Sequence, residues 1–110
     1  MSENVRVEIA DGVCTVTIAR PEKKNSLTQA MYAGLADAIE RAESERSVGC
    51  LLLTGAGGVF CAGNDIADFR APRPAESRDA PSPSRRFYFG LTNFAKPIVA
   101  AVPGLAIGIG

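Results

Sequence analysis

Residues 49–66 read GCLLLTGAGGVFCAGNDI. Leu51, Leu52 and Leu53 form a short, continuously apolar run. Such a run suits a strand covered on both faces, as in a parallel sheet with helices on each side. Gly55-Ala56-Gly57-Gly58 follows as a flexible turn, and Ile66-Ala67-Asp68-Phe69 begins a short helix. Working outward toward the N-terminus, Val5, Val7 and Ile9 alternate with Arg6 and Glu8, the period of a half-buried strand. Asp11-Gly12 supplies a hairpin turn, and Val13 to Ala19, rich in β-branched residues, forms the return strand. Arg20-Pro21-Glu22-Lys23-Lys24-Asn25 is a polar loop. A helix is predicted from Thr28 to Ser44, with Ser26 or Thr28 as its cap. Met31, Leu35, Ile39 and Ala42, with Ala38 beside them, recur at helical spacing, and Asp37, Glu40, Arg41 and Glu43 lie off that stripe.

Toward the C-terminus, Ala71 to Ser84 holds four prolines, three serines and no large apolar residue. Such a segment cannot bury a core and is expected to be a mobile loop. Arg85 to Ala95 reads as a second helix with Phe87, Leu91 and Phe94 on one side, ended by Lys96-Pro97. Ile98 to Val102 reads as another buried strand, and Pro103-Gly104 turns the chain. Hairpin, helix, strand, loop, helix, strand is the order of an α/β layer fold. The 110 residues make one small domain or part of one. With no more chain to cover them, both helices and the second buried strand would keep uncovered apolar faces. The chain alone is therefore expected to need a complementary segment or to self-associate.

Composition narrows the functions available. Lysine plus arginine and aspartate plus glutamate each number 12, so there is no basic surplus of the kind a nucleic-acid binder shows. The chain has no histidine, which removes a histidine-based triad and a histidine-ligated metal site. Its three cysteines, Cys14, Cys50 and Cys61, are an odd number without framework spacing and sit among small or apolar residues, as in a reduced intracellular protein. No apolar stretch approaches the ~20 residues of a membrane span. Met1-Ser2-Glu3-Asn4 opens with no basic region before an apolar run, so a cytoplasmic protein is expected.

Two glycine-rich turns each follow an apolar strand: Phe60 to Ile66, and Gly104-Leu105-Ala106-Ile107-Gly108-Ile109-Gly110. Small residues there let a ligand approach the backbone. Backbone N–H groups not yet claimed by a strand or helix can point at an oxygen. Two of them converging on one carbonyl form an oxyanion hole, in which one donor is worth about 2.7–4 kcal/mol.

Three segments carry a resemblance. Arg20-Pro21 followed by Asn25-Ser26-Leu27 resembles the RP…NAL element of the crotonase (enoyl-CoA hydratase/isomerase) family. Phe60-Cys61-Ala62-Gly63-Asn64-Asp65-Ile66 resembles its F-x-A-G-x-D-[IL] signature, and Lys96 to Gly108 its KP-[IV]-[IV]-A-A-[VI]-x-G-x-A-x-G signature. They stand in the family's order and at compatible spacing. The resemblance implies the N-terminal portion of an α/β, crotonase-like (ClpP/crotonase) ββα spiral core. It implies an acyl-CoA substrate, no metal and no cofactor beyond the CoA moiety, no nucleic acid or membrane partner, and assembly into trimers or hexamers through a C-terminal half. It places the first oxyanion N–H at Asn64 and the second at Ile109, with Gly108 as the alternative register. Many relatives have glycine at that second position, so an isoleucine would reshape the acyl pocket. It places CoA along Lys23, Lys24, Ser26 and Leu27 and along Ala62, Gly63, Asp65 and Ile66.

Plainer readings stand beside these. Asp65 also reads as the cap of the helix at Ile66. Lys23 and Lys24 fit CoA phosphates or an ordinary solvated loop. Cys61 reads as a packing residue, because no histidine exists to activate it. Cys14 and Cys50 read as core, and Arg85 and Arg86 as a solvated helix start. Phe87, Phe89 and Phe94 read mostly as core, with one or two available to an acyl pocket. The acidic residues that move protons in this family lie beyond Gly110. Hydration, double-bond isomerisation, decarboxylation and thioester hydrolysis therefore all remain open. So does a catalytically silent acyl-CoA-binding or assembly module. A Clp-type protease would need a histidine that this segment lacks.

Overall fold

The computed structural model of the chain describes residues 4–71 and 80–110. The chain opens as a hairpin, β1 (Val5–Ala10) and β2 (Val13–Ile18), paired antiparallel with Ala10 opposite Val13. Asp11 and Gly12 both have positive φ, 52° and 80°, the requirement of a tight two-residue hairpin turn. Helix α1 (Gln29–Ser44) follows a single turn at Pro21–Lys23. The Thr28 side chain caps it by accepting the Met31 N–H at 3.1 Å. Strand β3 (Cys50–Gly55) lies parallel to β2, and β4 (Ile98–Ala100) lies parallel to β3. The sheet order is β1-β2-β3-β4. Between β3 and β4 come α2 (Ile66–Arg70) and α3 (Pro83–Thr92).

The core lies between this sheet and α1. Met31, Leu35, Ile39 and Ala42 are all buried on the predicted stripe, joined by Tyr32, Ala36 and Ala38. They meet Cys14, Val16 and Ile18 of β2 and Leu51 of β3 in one cluster. Each large aliphatic side chain buried there contributes about 1.5–3 kcal/mol. Helix α3 packs against α1. Gly90 permits the close approach, since a Cβ there would lie 3.2 Å from Ile39. Arg86 ties the two helices, donating to Asp37 and Glu40 at 2.9 Å each. Lys96 ties the C-terminal end of α1, its Nζ donating to the Ala42 and Glu45 carbonyls at 2.7 and 2.9 Å. Lysine suits that position because the last carbonyls of a helix lack partners.

Four expectations need correction. The second buried strand, Ile98 to Val102, is an exposed edge, with Val99 55% accessible. No further strand or helix covers it among the described residues. For the same reason β3 is not sandwiched between helices: Leu51 alone is fully buried, and α1 covers one face of the sheet. The second helix runs Pro83–Thr92 rather than Arg85 to Ala95. Proline is accommodated in its first turn, where an N–H partner is missing anyway, and Ser82 caps it. The mobile loop expected over residues 71–84 falls, at 72–79, outside the described residues. Phe89, assigned to the core, is 52% exposed, with the Arg85 guanidinium 5.3 Å from its ring centre. Among the described residues no helix is long and apolar enough to cross a membrane.

One buried polar side chain fixes the loop between β2 and α1. Asn25 is 0% exposed. Its Oδ1 accepts the Arg20 N–H at 2.8 Å, and its Nδ2 donates to the Ala56 and Val59 carbonyls at 2.9 and 2.7 Å. Its φ of 58° is a region asparagine tolerates better than most residues.

Replacing it by alanine strands three half-buried partners, each costing about 1–3 kcal/mol. Asn25→Ala is therefore expected to lower unfolding free energy by about 3 kcal/mol in urea titrations. A loss well under 1 kcal/mol would show that the amide is not the anchor. The open β4 edge leads to a second expectation. Light scattering on the 110-residue chain should show self-association that grows with concentration. A stable monomer at all concentrations would contradict it.

Candidate functional site

Two single parallel bridges draw three loops together, Leu27 with Asn64 and Cys61 with Ala106. In the first, the Leu27 N–H donates to the Gly63 carbonyl and the Asp65 N–H to the Leu27 carbonyl, both at 2.8 Å. In the second, the Cys61 N–H donates to Leu105 O at 3.1 Å and the Ile107 N–H to Cys61 O at 3.0 Å. The turns at 61–65 and 105–110 therefore lie side by side. Gly63 stands at φ +95°, and a Cβ on it would come 3.3 Å from the Ile107 carbonyl oxygen, so a side chain is excluded on both counts. Gly110 is similarly pressed, since its Cβ would lie 2.8 Å from that of Cys61. Among the described residues the N–H groups of Asn64, Gly108 and Ile109 have no hydrogen-bond partner.

A partly buried ion pair holds the first turn. Arg20 Nη1 donates to Asp65 Oδ2 at 2.8 Å and also reaches the Ser26 carbonyl and hydroxyl at 3.2 and 3.3 Å. Asp65 Oδ1 accepts the Asp68 N–H at 3.0 Å, so Asp65 is the cap of α2 that the sequence suggested. The Asp68 N–H, followed by the Arg20 guanidinium, holds the Asp65 carboxyl below the usual aspartate range. Asp68 in turn accepts the Gln29 N–H at 2.6 Å, joining α2 to the start of α1.

Beneath the turns lies an apolar cavity of about 160 Å³. Leu27, Leu35, Phe87, Leu91 and Ile109 are among the residues that line it. An almost wholly apolar lining of this kind suits an apolar group. The wholly buried Tyr32 donates from its hydroxyl to Asn64 Oδ1 at 2.5 Å. Cys61 is buried as well, and its Sγ accepts the Gly63 N–H at 3.3 Å. Desolvation pushes the Cys61 thiol above its ordinary value.

The structure sorts the residues singled out from the sequence. Asn64 and Ile109 stand on the two adjoining turns, Gly108 with them. Lys23 and Lys24 are exposed on the loop before Asn25, and Ile66 is 66% exposed at the start of α2. Ala62 is half-buried. Leu27 and Gly63 are buried, with their backbone groups bonded to each other. The Ser26 hydroxyl and the Asp65 carboxylate are engaged by Arg20. The sequence marked Arg20 only as part of the RP…NAL element, with no partner for it, and gave no part to Tyr32 or Asp68. Tyr32 lies four residues beyond the Thr28 cap and next to the apolar stripe, so a wider helical face would have included it. The partners of Arg20 and Asp68 are 45 and 39 residues away, and no local pattern signals them.

Residues 8–110 match the family model described as Enoyl-CoA hydratase/isomerase. The chain belongs to the enoyl-CoA hydratase/isomerase family. It is similar to the 1,2-epoxyphenylacetyl-CoA isomerase of Escherichia coli, 38% identical over 100% of this chain and 44% of that protein. It is also similar to the hydroxycinnamoyl-CoA hydratase-lyase of Pseudomonas fluorescens, 32% identical over 98% of this chain and 41% of that one. Among solved structures, a putative enoyl-CoA hydratase/carnithine racemase from Magnetospirillum magneticum superposes with a TM-score of 0.88 at 41% identity, covering 100% of this chain and 42% of that one. The fold of this family member is thus the crotonase-like α/β fold expected from its sequence. The chain spans less than half the length of these relatives.

The Arg20–Asp65 pair makes stability of the family's A-G-x-D turn depend on pH. A depressed carboxyl contributes fully above its unfolded pKa of about 3.9 and loses its contribution as pH falls through the lower folded value. Urea midpoints of the wild type are expected to exceed those of Asp65→Asn at neutral pH, with the gap closing below about pH 4. A gap that stays constant into acid would show that the charge pair does not hold the turn.

Proposed function

We propose that this chain forms the thioester-binding part of an acyl-CoA-processing enzyme of the hydratase/isomerase type. The Asn64 and Ile109 N–H groups receive the thioester carbonyl oxygen. The supporting observation is the pairing of two turns whose N–H groups are unclaimed among the described residues, beside an apolar cavity lined by Ile109. Backbone donors on turns pinned by bridges need little reorganisation as charge develops on the oxygen. That preorganisation gives each donor its worth of about 2.7–4 kcal/mol. Carbonyl polarisation acidifies the α carbon and activates the β carbon of an unsaturated acyl group, so enolate chemistry at either carbon follows. The acyl chain lies against Ile109, which narrows the cavity where glycine would leave it open. CoA runs over the exposed loop at Lys23 and Lys24, whose ammonium groups face its phosphates, and past Ala62 and Ile66. The full enzyme assembles as a trimer or hexamer.

A second reading, binding without turnover, is favoured by one observation. The carboxylates nearest the turns are occupied, Asp65 by Arg20 and Asp68 by the Gln29 N–H. Both carboxylates are thus committed to holding the fold, and an acid or base for turnover would come from elsewhere.

The binding step can be tested with selectively ¹⁵N-labelled chain titrated with an acyl-CoA thioester and, separately, with CoA. The Asn64 and Ile109 amide signals are expected to shift with the thioester and to stay nearly still with CoA, while signals near Lys23 and Lys24 move with both. Unmoved Asn64 and Ile109 amides at saturating thioester would sink the reading. Movement of Gly108 in place of Ile109 would shift the register by one residue.

A further inference from the structure

Tyr32 has no part in the scheme above, yet it is the residue that grips Asn64. It sits on α1, wholly buried, in an aromatic box. Phe69 of α2 meets its ring edge-on at 5.7 Å, Phe87 of α3 at 5.6 Å, and Tyr88 at 6.4 Å. Those walls leave the ring little rotational freedom, so its hydroxyl has a fixed address. Burial, with the neighbouring Tyr88, pushes the phenol well above its ordinary value, so it stays a neutral donor. That donor takes the Oδ1 end of the Asn64 amide at 2.5 Å.

Leu27 pins the turn on either side of Asn64, and Tyr32 adds a hold on the Asn64 side chain itself. Gly63 sits at φ +95°, where no side chain locks the backbone, and Asn64 is exposed. The carbonyl of the Gly63–Asn64 peptide is held by the Leu27 N–H, but the N–H of the same peptide has no partner among the described residues. Asparagine has two side-chain torsions. Fixing its Oδ1 therefore constrains the Asn64 Cα, and with it the tilt of the peptide plane. An oxyanion donor works only if it lies 2.7–3.1 Å from the developing charge.

We propose that Tyr32 is a positioning residue, which aims the Asn64 N–H by holding the Asn64 side chain from the buried face of α1. This rests on the oxyanion reading of Asn64. On this view the asparagine side chain is a tether, and a non-bonding residue at position 64 would make the tyrosine hydroxyl dispensable.

Difference infrared spectroscopy of a bound acyl-CoA thioester labelled with ¹³C at the carbonyl tests the idea, because the carbonyl stretch reports polarisation directly. Binding to the wild-type chain is expected to lower the stretching frequency relative to free thioester. In Tyr32→Phe much of that lowering should be lost while affinity for CoA stays within about twofold. Asn64→Ala, a change at an exposed side chain that keeps the backbone N–H, should lose lowering to a similar extent. Adding Tyr32→Phe to Asn64→Ala should change nothing more. Full lowering in Tyr32→Phe or in Asn64→Ala overturns the positioning role and leaves the oxyanion reading standing. Additive losses in the double variant also overturn it, since Tyr32 would then act through packing. No lowering in the wild type overturns both. If Tyr32→Phe does not fold, Asn64→Ala alone decides: undiminished lowering overturns the proposal, and a reduced one upholds it.

Discussion

Leu27 gives its N–H to Gly63 and takes the N–H of Asp65, and everything at the site is arranged around that exchange. It joins the loop before α1 to the turn after β3. Arg20 closes the same join from outside by bridging Ser26 and Asp65. Asn25 closes it from inside by binding the Ala56 and Val59 carbonyls. The three fastenings differ in kind, being backbone, ionic and amide, so they respond differently to acid, salt and denaturant. Their common product is a stiff support for a turn that, at Gly63, has no intrinsic stiffness.

Helix α1 is where the other restraints meet. One face buries the aliphatic stripe on β2 and β3. Its first turn receives Asp68 from α2, its flank receives Arg86 from α3, and its final carbonyls receive Lys96 from the segment entering β4. Through Tyr32 it also reaches the turn itself. The Lys-Pro pair does not stop α3, which ends at Thr92; its lysine closes α1 while its proline starts the run into β4. An error in the placement of α1 would be felt at both turns at once.

Much of this was legible in the sequence because it is encoded locally. The alternation at Val5, Val7 and Ile9, the Asp11-Gly12 turn, the Thr28 cap and the stripe from Met31 to Ala42 are patterns of period or of single turns, and each is observed as read. Asp65 as a helix cap is likewise a local signal. The two glycine turns could be located as the likeness to the family indicated, but their mutual contact depends on the Cys61–Ala106 bridge, which spans 45 residues of chain. What a sequence does not display is who covers whom. Ile98 and Val99 are as apolar as Leu51, yet they lie on an open edge, because apolarity states a need for cover and not its presence. Phe89 lies outward for a related reason: on a ten-residue helix packed by one face, neighbouring positions 87 and 89 point in different directions. The partners of Arg20 and Tyr32 escaped notice because a long-range contact leaves no periodic trace.

The burial of Cys61 has a chemical consequence for any thioester held at these turns. A thiolate beside an activated thioester exchanges acyl groups with it, and the protein would end up acylating itself. Only the thiolate does this at a useful rate. Cys61 adjoins the site, but desolvation, which outweighs the Gly63 N–H donated to its Sγ, pushes the thiol above its ordinary value. The sulfur is thereby kept as a filler atom under the turn, and a potential self-inactivating nucleophile is silenced by where it is placed.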